Sequence, residues 1–184
     1  MSFEAIFNFF GNSSIITYVV LAWLSVYFVL SFSVLFARLS YLAVWKSKEK
    51  QSLETLLLGE NDISKTNSIL RKCVDTSLNH LEIYKNLASR RASVGLTWLS
   101  IIASTSPFIG LFGTVISILE TFGGLGSQNS LSVIAPKISE ALVATGCGIL
   151  VAIPAYSFHL VIKRKAFELL SIIDSEIKVL SSKA

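Results

Sequence analysis

Two quoted stretches decide the fold: Ser104-Thr105-Ser106-Pro107-Phe108-Ile109-Gly110-Leu111-Phe112-Gly113-Thr114-Val115, and, beyond a glycine-rich connection, Ala135-Pro136 followed by Glu140-Ala141-Leu142-Val143-Ala144-Thr145-Gly146-Cys147-Gly148. Both lie in segments long enough to cross a bilayer. Both carry small and hydroxylated residues where a helix facing lipid carries Leu and Ile. In the first, Ser106, Gly110, Thr114 and Ser117 fall on one helical stripe. In the second, Ala144, Gly148 and Ala152 repeat at four-residue intervals, the small-xxx-small pattern that lets membrane helices approach closely. These helices are expected to face protein, with copies of the chain packing through Ala144, Gly148 and Ala152.

Working outward, residues 15–37 are 23 positions without a charge, against the roughly 20 apolar residues that a hydrocarbon core requires. Residues 94–119 are also uncharged, and residues 138–162 contain only Glu140 and His159 near their ends. The expected architecture is an all-α membrane protein with three transmembrane helices. The first span is too long for the apolar core of a signal peptide and has no basic residue before it. Cys73 and Cys147 are the two cysteines, one in a polar segment and one inside a span, so no disulfide framework is indicated.

The +4 net charge becomes informative once placed along the chain. Of 16 Lys and Arg, ten lie in residues 38–91 and five in residues 163–183, and Lys137 alone lies between the second and third spans. Basic loops stay inside, so the N-terminus is expected outside, with the 38–93 loop and the tail in the cytoplasm. These charges flank membrane spans, which argues against a nucleic-acid surface. The resulting organisation is an interfacial helix at 1–14, spans at 15–37, 94–121 and 136–162, a cytoplasmic helical loop at 38–93, a periplasmic turn at 122–135 and a helical tail at 163–184. A break is expected at Gly59-Glu60-Asn61-Asp62, and the second span is expected to continue a long cytoplasmic helix because no proline precedes Pro107. The first span, large and aliphatic around most of its circumference, is expected at the periphery against lipid.

Pro107 and Pro154 each remove an N–H, leaving the carbonyls of Ala103 and Leu150 without their usual partners, so a kink or a hydroxyl-assisted repair is expected. The sequence contains no metal constellation, no Ser-His-Asp arrangement and no phosphate loop with a lysine, so an enzyme is not expected. What remains is polar chemistry at membrane depth. Counted from Thr121 and Pro136, Thr114 and Thr145 lie roughly 10 and 13 Å below the same surface, close enough in depth to form a ring of hydroxyls around an axis. Proton relays through membranes normally use Asp, Glu or His. Between residues 94 and 162 only Glu120, Glu140 and His159 titrate in that class, all near the ends, so a carboxylate at mid-depth would have to come from a partner helix.

The two quoted stretches, with Ala152-Ile153-Pro154-Ala155 after them, resemble the proton-channel family of ExbB and TolQ, to which MotA is more distantly similar. The resemblance implies a subunit of the inner membrane of Gram-negative bacteria, pentameric, its second and third helices lining a pore. A partner similar to ExbD or TolR, two chains with one transmembrane aspartate each, would sit in that pore. Proton flow through the aspartate would energise a protein similar to TonB or TolA. It further implies that Thr114 and Thr145 are pore threonines and Glu140 a glutamate at the pore mouth, with Ser106 and Ser117 on the same lining. Pro107, Gly110, Gly113 and Pro154 fall at structural positions. The resemblance brings no cofactor and no metal; the transported ion is H+. Glu120 stands where the family carries a neutral polar residue and Lys137 where it carries glycine. A non-conducting scaffold that assembles a membrane transport complex through the same small-residue helices fits these spacings as well. A solute transporter fits less, lacking inverted repeats and any midplane binding group beyond hydroxyls.

Overall fold

A computed structural model of the protein describes residues 15–57, 78–123 and 131–181. The interfacial helix expected at 1–14, the break at 59–62 and the turn beyond Gly123 lie outside the described residues. Four helices make up the rest: α1 (Ile15–Leu57), α2 (Leu78–Ala92), α3 (Leu96–Gly123) and α4 (Leu131–Ser181). Three stretches, Ile15–Thr55, Glu82–Gly123 and Ile134–Val179, are long and apolar enough to cross a membrane.

The chain divides into two compact units. In the first, α1 to Ser33, α3 from Trp98 and α4 to Ser157 bury a common core of Val20, Leu24, Ile102, Ala144, Val151 and Ala155. Along α4 the buried positions Ala141, Ala144, Gly148, Val151 and Ala155 alternate three and four apart, one continuous seam. Ala152, expected on this seam, is only half-buried. The seam meets α3 of the same chain, so the close approach expected between copies is made within one chain. A Cβ at Gly148 would stand 2.6 Å from the Ser106 carbonyl oxygen, and one at Gly110 would stand 2.6 Å from that of Ala144. Only glycine allows two backbones that close.

On its buried face α1 contributes Thr17, Val20, Leu24 and Ser31, while Ile15, Val19, Trp23 and Val29 on the opposite side stay exposed. The first span is therefore two-sided, packing on α3 and α4 along one stripe.

In the second unit, Leu42 of α1, Ala88 and Ala92 of α2, and Ile162, Ala166, Leu169 and Ile173 of α4 are buried. Polar links join the same helices: Lys46 donates to Glu168 at 2.7 Å, and Lys85 pairs with Asp174.

The long helix expected to lead into the second span is interrupted. Residues 93–95 form a turn, with Gly95 at φ +83°. The Ser93 N–H donates to the Ser89 carbonyl at 3.1 Å and the Leu96 N–H to that of Ser93 at 3.2 Å, so one helix closes and the next opens. Arg38 of α1 fixes the joint: its Nη2 donates to the carbonyls of Arg91 and Ala92 at 2.8 and 2.9 Å, groups that a helix end leaves unsatisfied. The signal was present in the sequence as Arg90-Arg91 in a last turn followed by glycine, the usual ending of a helix. A side chain at φ > 0 costs roughly 1–2 kcal/mol, so Gly95→Ala is expected to lower the thermal midpoint of the solubilised protein. Gly123→Ala, whose Cβ would meet nothing within 4 Å, serves as the control and should leave the midpoint in place.

Around Pro107 the hydroxyls are fully engaged, though not at the carbonyl expected. Ser104 donates to Ser100 and Ile101, Thr105 to Ile101 and Ser106 to Ile102. None of these reaches Ala103. A Ser or Thr hydroxyl reaches the carbonyl four residues back, and the position that could serve Ala103 in this way is Pro107 itself.

Candidate functional site

The packing of α3 on α4 brings two hydroxyls together. Thr114 is 7% exposed, and its Oγ1 lies 3.2 Å from the Gly110 carbonyl, 3.1 Å from the Ala141 carbonyl and within hydrogen-bond reach of Thr145 Oγ1. Thr114 has one hydroxyl hydrogen, and carbonyls only accept. That hydrogen is therefore directed at the carbonyls, and the Thr145 hydroxyl donates to Thr114. The Thr114 hydroxyl thus has its hydrogen and one of its two lone pairs engaged inside the chain. Thr145 is half-buried and keeps acceptor capacity on its oxygen.

The other residues assigned to the lining separate. Ser106 is fully buried, its hydroxyl bonded to the Ile102 carbonyl at 2.7 Å and its own carbonyl packed against Gly148. It belongs to the helix crossing, not to an open face of the chain. Ser117 turns toward α1, where its Oγ lies 3.4 Å from that of the buried Thr17. Thr17 was not singled out from the sequence, since a lone threonine in an apolar span carries no spacing signal. The shared reason is geometric: a stripe of small residues is the side that another helix can reach, so it is buried first.

Gly113 lies against Val20 and Ala144, where a Cβ would approach 3.1 and 3.3 Å. Pro107 and Pro154 sit half-buried inside α3 and α4.

Toward the other end of α4, Glu140 keeps only 11% of its side chain exposed, 3.7 Å from Lys137 Nζ one turn earlier. The charge added by Lys137 thus has a local partner. Its Oε1 is buried with no hydrogen-bond partner among the described residues. At the opposite end His159 Nδ1 donates to the Leu96 carbonyl at 3.0 Å, which fixes the hydrogen on that nitrogen. Between these ends the site offers a hydroxyl pair and no Asp, Glu or His. Such a pair can donate to and accept from a neighbouring polar group without itself taking up charge at neutral pH.

A sequence model of the MotA/TolQ/ExbB proton channel family matches residues 48–175. The chain belongs to this family. Within the MotA/TolQ/ExbB family it is similar over nearly its whole length to a putative biopolymer transport protein, ExbB-like 1, of Helicobacter pylori strain J99, with 42% identity over 187 residues covering 98% of this chain and 99% of the relative. Shorter matches place it beside both named branches. It is 46% identical over 67 residues to the Tol-Pal system protein TolQ of Pseudomonas aeruginosa, covering 35% of this chain and 29% of that protein. It is 50% identical over 68 residues to the biopolymer transport protein ExbB of Neisseria gonorrhoeae, covering 36% and 31%.

Proposed function

We propose that the chain is the proton-channel stator subunit of a bacterial inner-membrane motor, with its N-terminus outside and its basic segments in the cytoplasm. Five copies surround a pore, and a single-span partner similar to ExbD or TolR, two chains each with one membrane aspartate, occupies it. Proton flow through that aspartate energises TonB-dependent uptake or the Tol-Pal system. Membership of a proton-channel family supports the class of activity, and the observation that carries the rest is the Thr114–Thr145 pair.

A carboxylate at mid-membrane is strongly disfavoured unless donors surround it. In this reading Thr145 serves both protonation states of the visiting acid. The protonated acid donates to a Thr145 lone pair while the Thr145 hydrogen rests on Thr114. When the acid releases its proton to water on the cytoplasmic side, the Thr145 hydroxyl swings from Thr114 to the new carboxylate. Thr114, held by two carbonyls, anchors the pair and accepts the Thr145 hydrogen bond again once a proton from the periplasmic side reprotonates the acid. A hydroxyl suits this exchange because it donates and accepts without itself taking up charge at neutral pH. Glu140, partly buried beside Lys137, marks the outer mouth.

The test is proton uptake into liposomes containing the full chain with and without its partner. Partner-dependent flux that disappears when the partner's membrane aspartate becomes asparagine is the expected result. An intact complex that passes no protons would leave the chain as a scaffold.

A further inference from the structure

We infer that the groove between α1 and α4 in the second unit binds an anionic phospholipid, its phosphate held by lysines and an acyl chain lying on the apolar floor. The groove, of about 430 Å³, is lined by Leu39, Leu42, Ala43, Lys46, Lys50 and Lys165 among others. Its floor continues the apolar segment that ends at Ala37 with further large aliphatic side chains, so the greasy and charged parts follow one another along the helix as the parts of a lipid do.

Depth agrees with this occupant. Lys165 lies three residues past Ile162, and Lys46, paired with Glu168, is level with a point six residues past it. At 1.5 Å per residue these are roughly 5 and 9 Å beyond the uncharged segment, with Lys50 one turn (about 6 Å) farther. Lys165 thus starts within the headgroup layer of about 5–8 Å, and Lys46 and Lys50 start beyond it, where only the length of a lysine side chain brings an ammonium group back to a phosphate. Side chains on a helix lean toward its N-terminus, which for α1 and α4 alike is toward that apolar segment. The stems of all three lysines start out in that direction, although in the structure Lys50 and Lys165 stand beside Glu54 and Glu168, one turn farther along.

The charge balance leaves room for an anion. Lys46, Lys50, Lys165 and the neighbouring Arg164 are set against Glu168, Glu54 and the buried Glu49, which accepts from Trp45 at 2.8 Å, so one positive charge is left over. Glu168 takes Lys46 at 2.7 Å, Arg164 at 3.4 Å and Lys165 at 3.5 Å, and Glu54 stands 3.8 Å from Lys50. The field is positive enough to hold the Glu168 carboxyl down to about 2, chiefly through the hydrogen bond from Lys46, against a smaller desolvation effect. Lys50 and Lys165 keep 69 and 49% of their side chains exposed, so their ammonium groups are available to a phosphate. Basic pockets between membrane helices at this level take anionic headgroups.

The test is native mass spectrometry of the delipidated full-length protein, titrated with dioleoylphosphatidylglycerol or dioleoylphosphatidylcholine. Preference for the anionic lipid is expected. Lys50→Ala and Lys165→Ala should each weaken it about fivefold, the factor equivalent to roughly 1 kcal/mol for one basic residue at a membrane surface. Lys46 is left in place because its bridge to Glu168 joins two helices. Lys163→Ala, outside the groove lining, should change nothing, and Lys165→Arg should restore binding. Three results would overturn the inference. One is an unchanged lipid preference in the Lys50→Ala and Lys165→Ala proteins, as when a second copy of the chain covers the groove. Another is equal weakening by Lys163→Ala, which makes the attraction general. The third is full displacement of the lipid by millimolar glycerol 1-phosphate, which makes this a site for soluble phosphate.

Discussion

Thr145→Val should cut partner-dependent proton flux by roughly 10- to 100-fold while the complex assembles as before. Valine matches threonine in shape, so the packing of α4 on α3 is kept. The hydrogen bond to Thr114 is lost, which within membranes averages about 0.6 kcal/mol. The functional loss is larger because the hydroxyl meets a full charge when the partner acid ionises. A hydrogen bond to a charged group contributes about 1.5–3 kcal/mol, and each 1.36 kcal/mol in a barrier is tenfold in rate. Thr145→Ser, which keeps the oxygen, should retain flux within a few fold. Proton uptake by matched liposomes, with complex mass as the control, decides the matter. Wild-type flux in the valine protein would remove the hydroxyl from the path.

The second large effect is expected at Gly148. A Cβ there would sit 2.6 Å from a backbone oxygen, a neighbour that cannot rotate away as a side chain does. Accommodating even alanine means moving α3 and α4 apart by several tenths of an ångström, which loosens Gly110 and Ala144 along the same seam. Overpacking of this kind costs about 1–3 kcal/mol, occasionally more, and valine belongs at the upper end. For a chain of this size each kcal/mol moves a thermal midpoint by about 2–4 °C, so Gly148→Val should lower it by roughly 6–12 °C. Gly146→Ala is the contrast. Two residues away on the same helix, its Cβ would meet nothing within 4 Å, and replacing a helical glycine there should gain about 0.5–1 kcal/mol. Gly110→Ala combined with Gly148→Ala should cost less than the two singly, because both open one gap. Differential scanning of the solubilised protein reads all five variants; equal midpoints for the Gly146 and Gly148 variants would mean that the crossing is looser than its geometry.

How far the sequence could be read depended on the kind of signal. Charge-free runs and small-residue spacing pointed to three membrane-crossing helices, because length against bilayer thickness is a hard constraint. Counting residues inward from Thr121 and Pro136 placed Thr114 and Thr145 at similar depth, and the structure brings their hydroxyls into contact. The spacing of Ala144 and Gly148 specified how near another backbone would come, but not whose backbone; intrachain and interchain crossings have the same spacing. For that reason Ser106 and Ser117 were assigned to an open lining and are found against α4 and α1. Gly95 is hard to read because it stands alone, without the cluster of turn formers at Gly59-Glu60-Asn61-Asp62, yet a left-handed glycine after two arginines ends a helix as firmly.

That turn at 93–95 has a bearing on how such a chain tolerates change. An α-helix carries its angular phase forward at about 100° per residue, so a residue inserted into an unbroken rod would swing every downstream side chain to a new azimuth. By resetting the phase at Gly95 and pinning the reset with Arg38, the fold isolates α3 from additions or losses upstream. Lengthening the segment before Ala92 alters what that segment contacts and leaves the aim of Gly110 and Thr114 untouched.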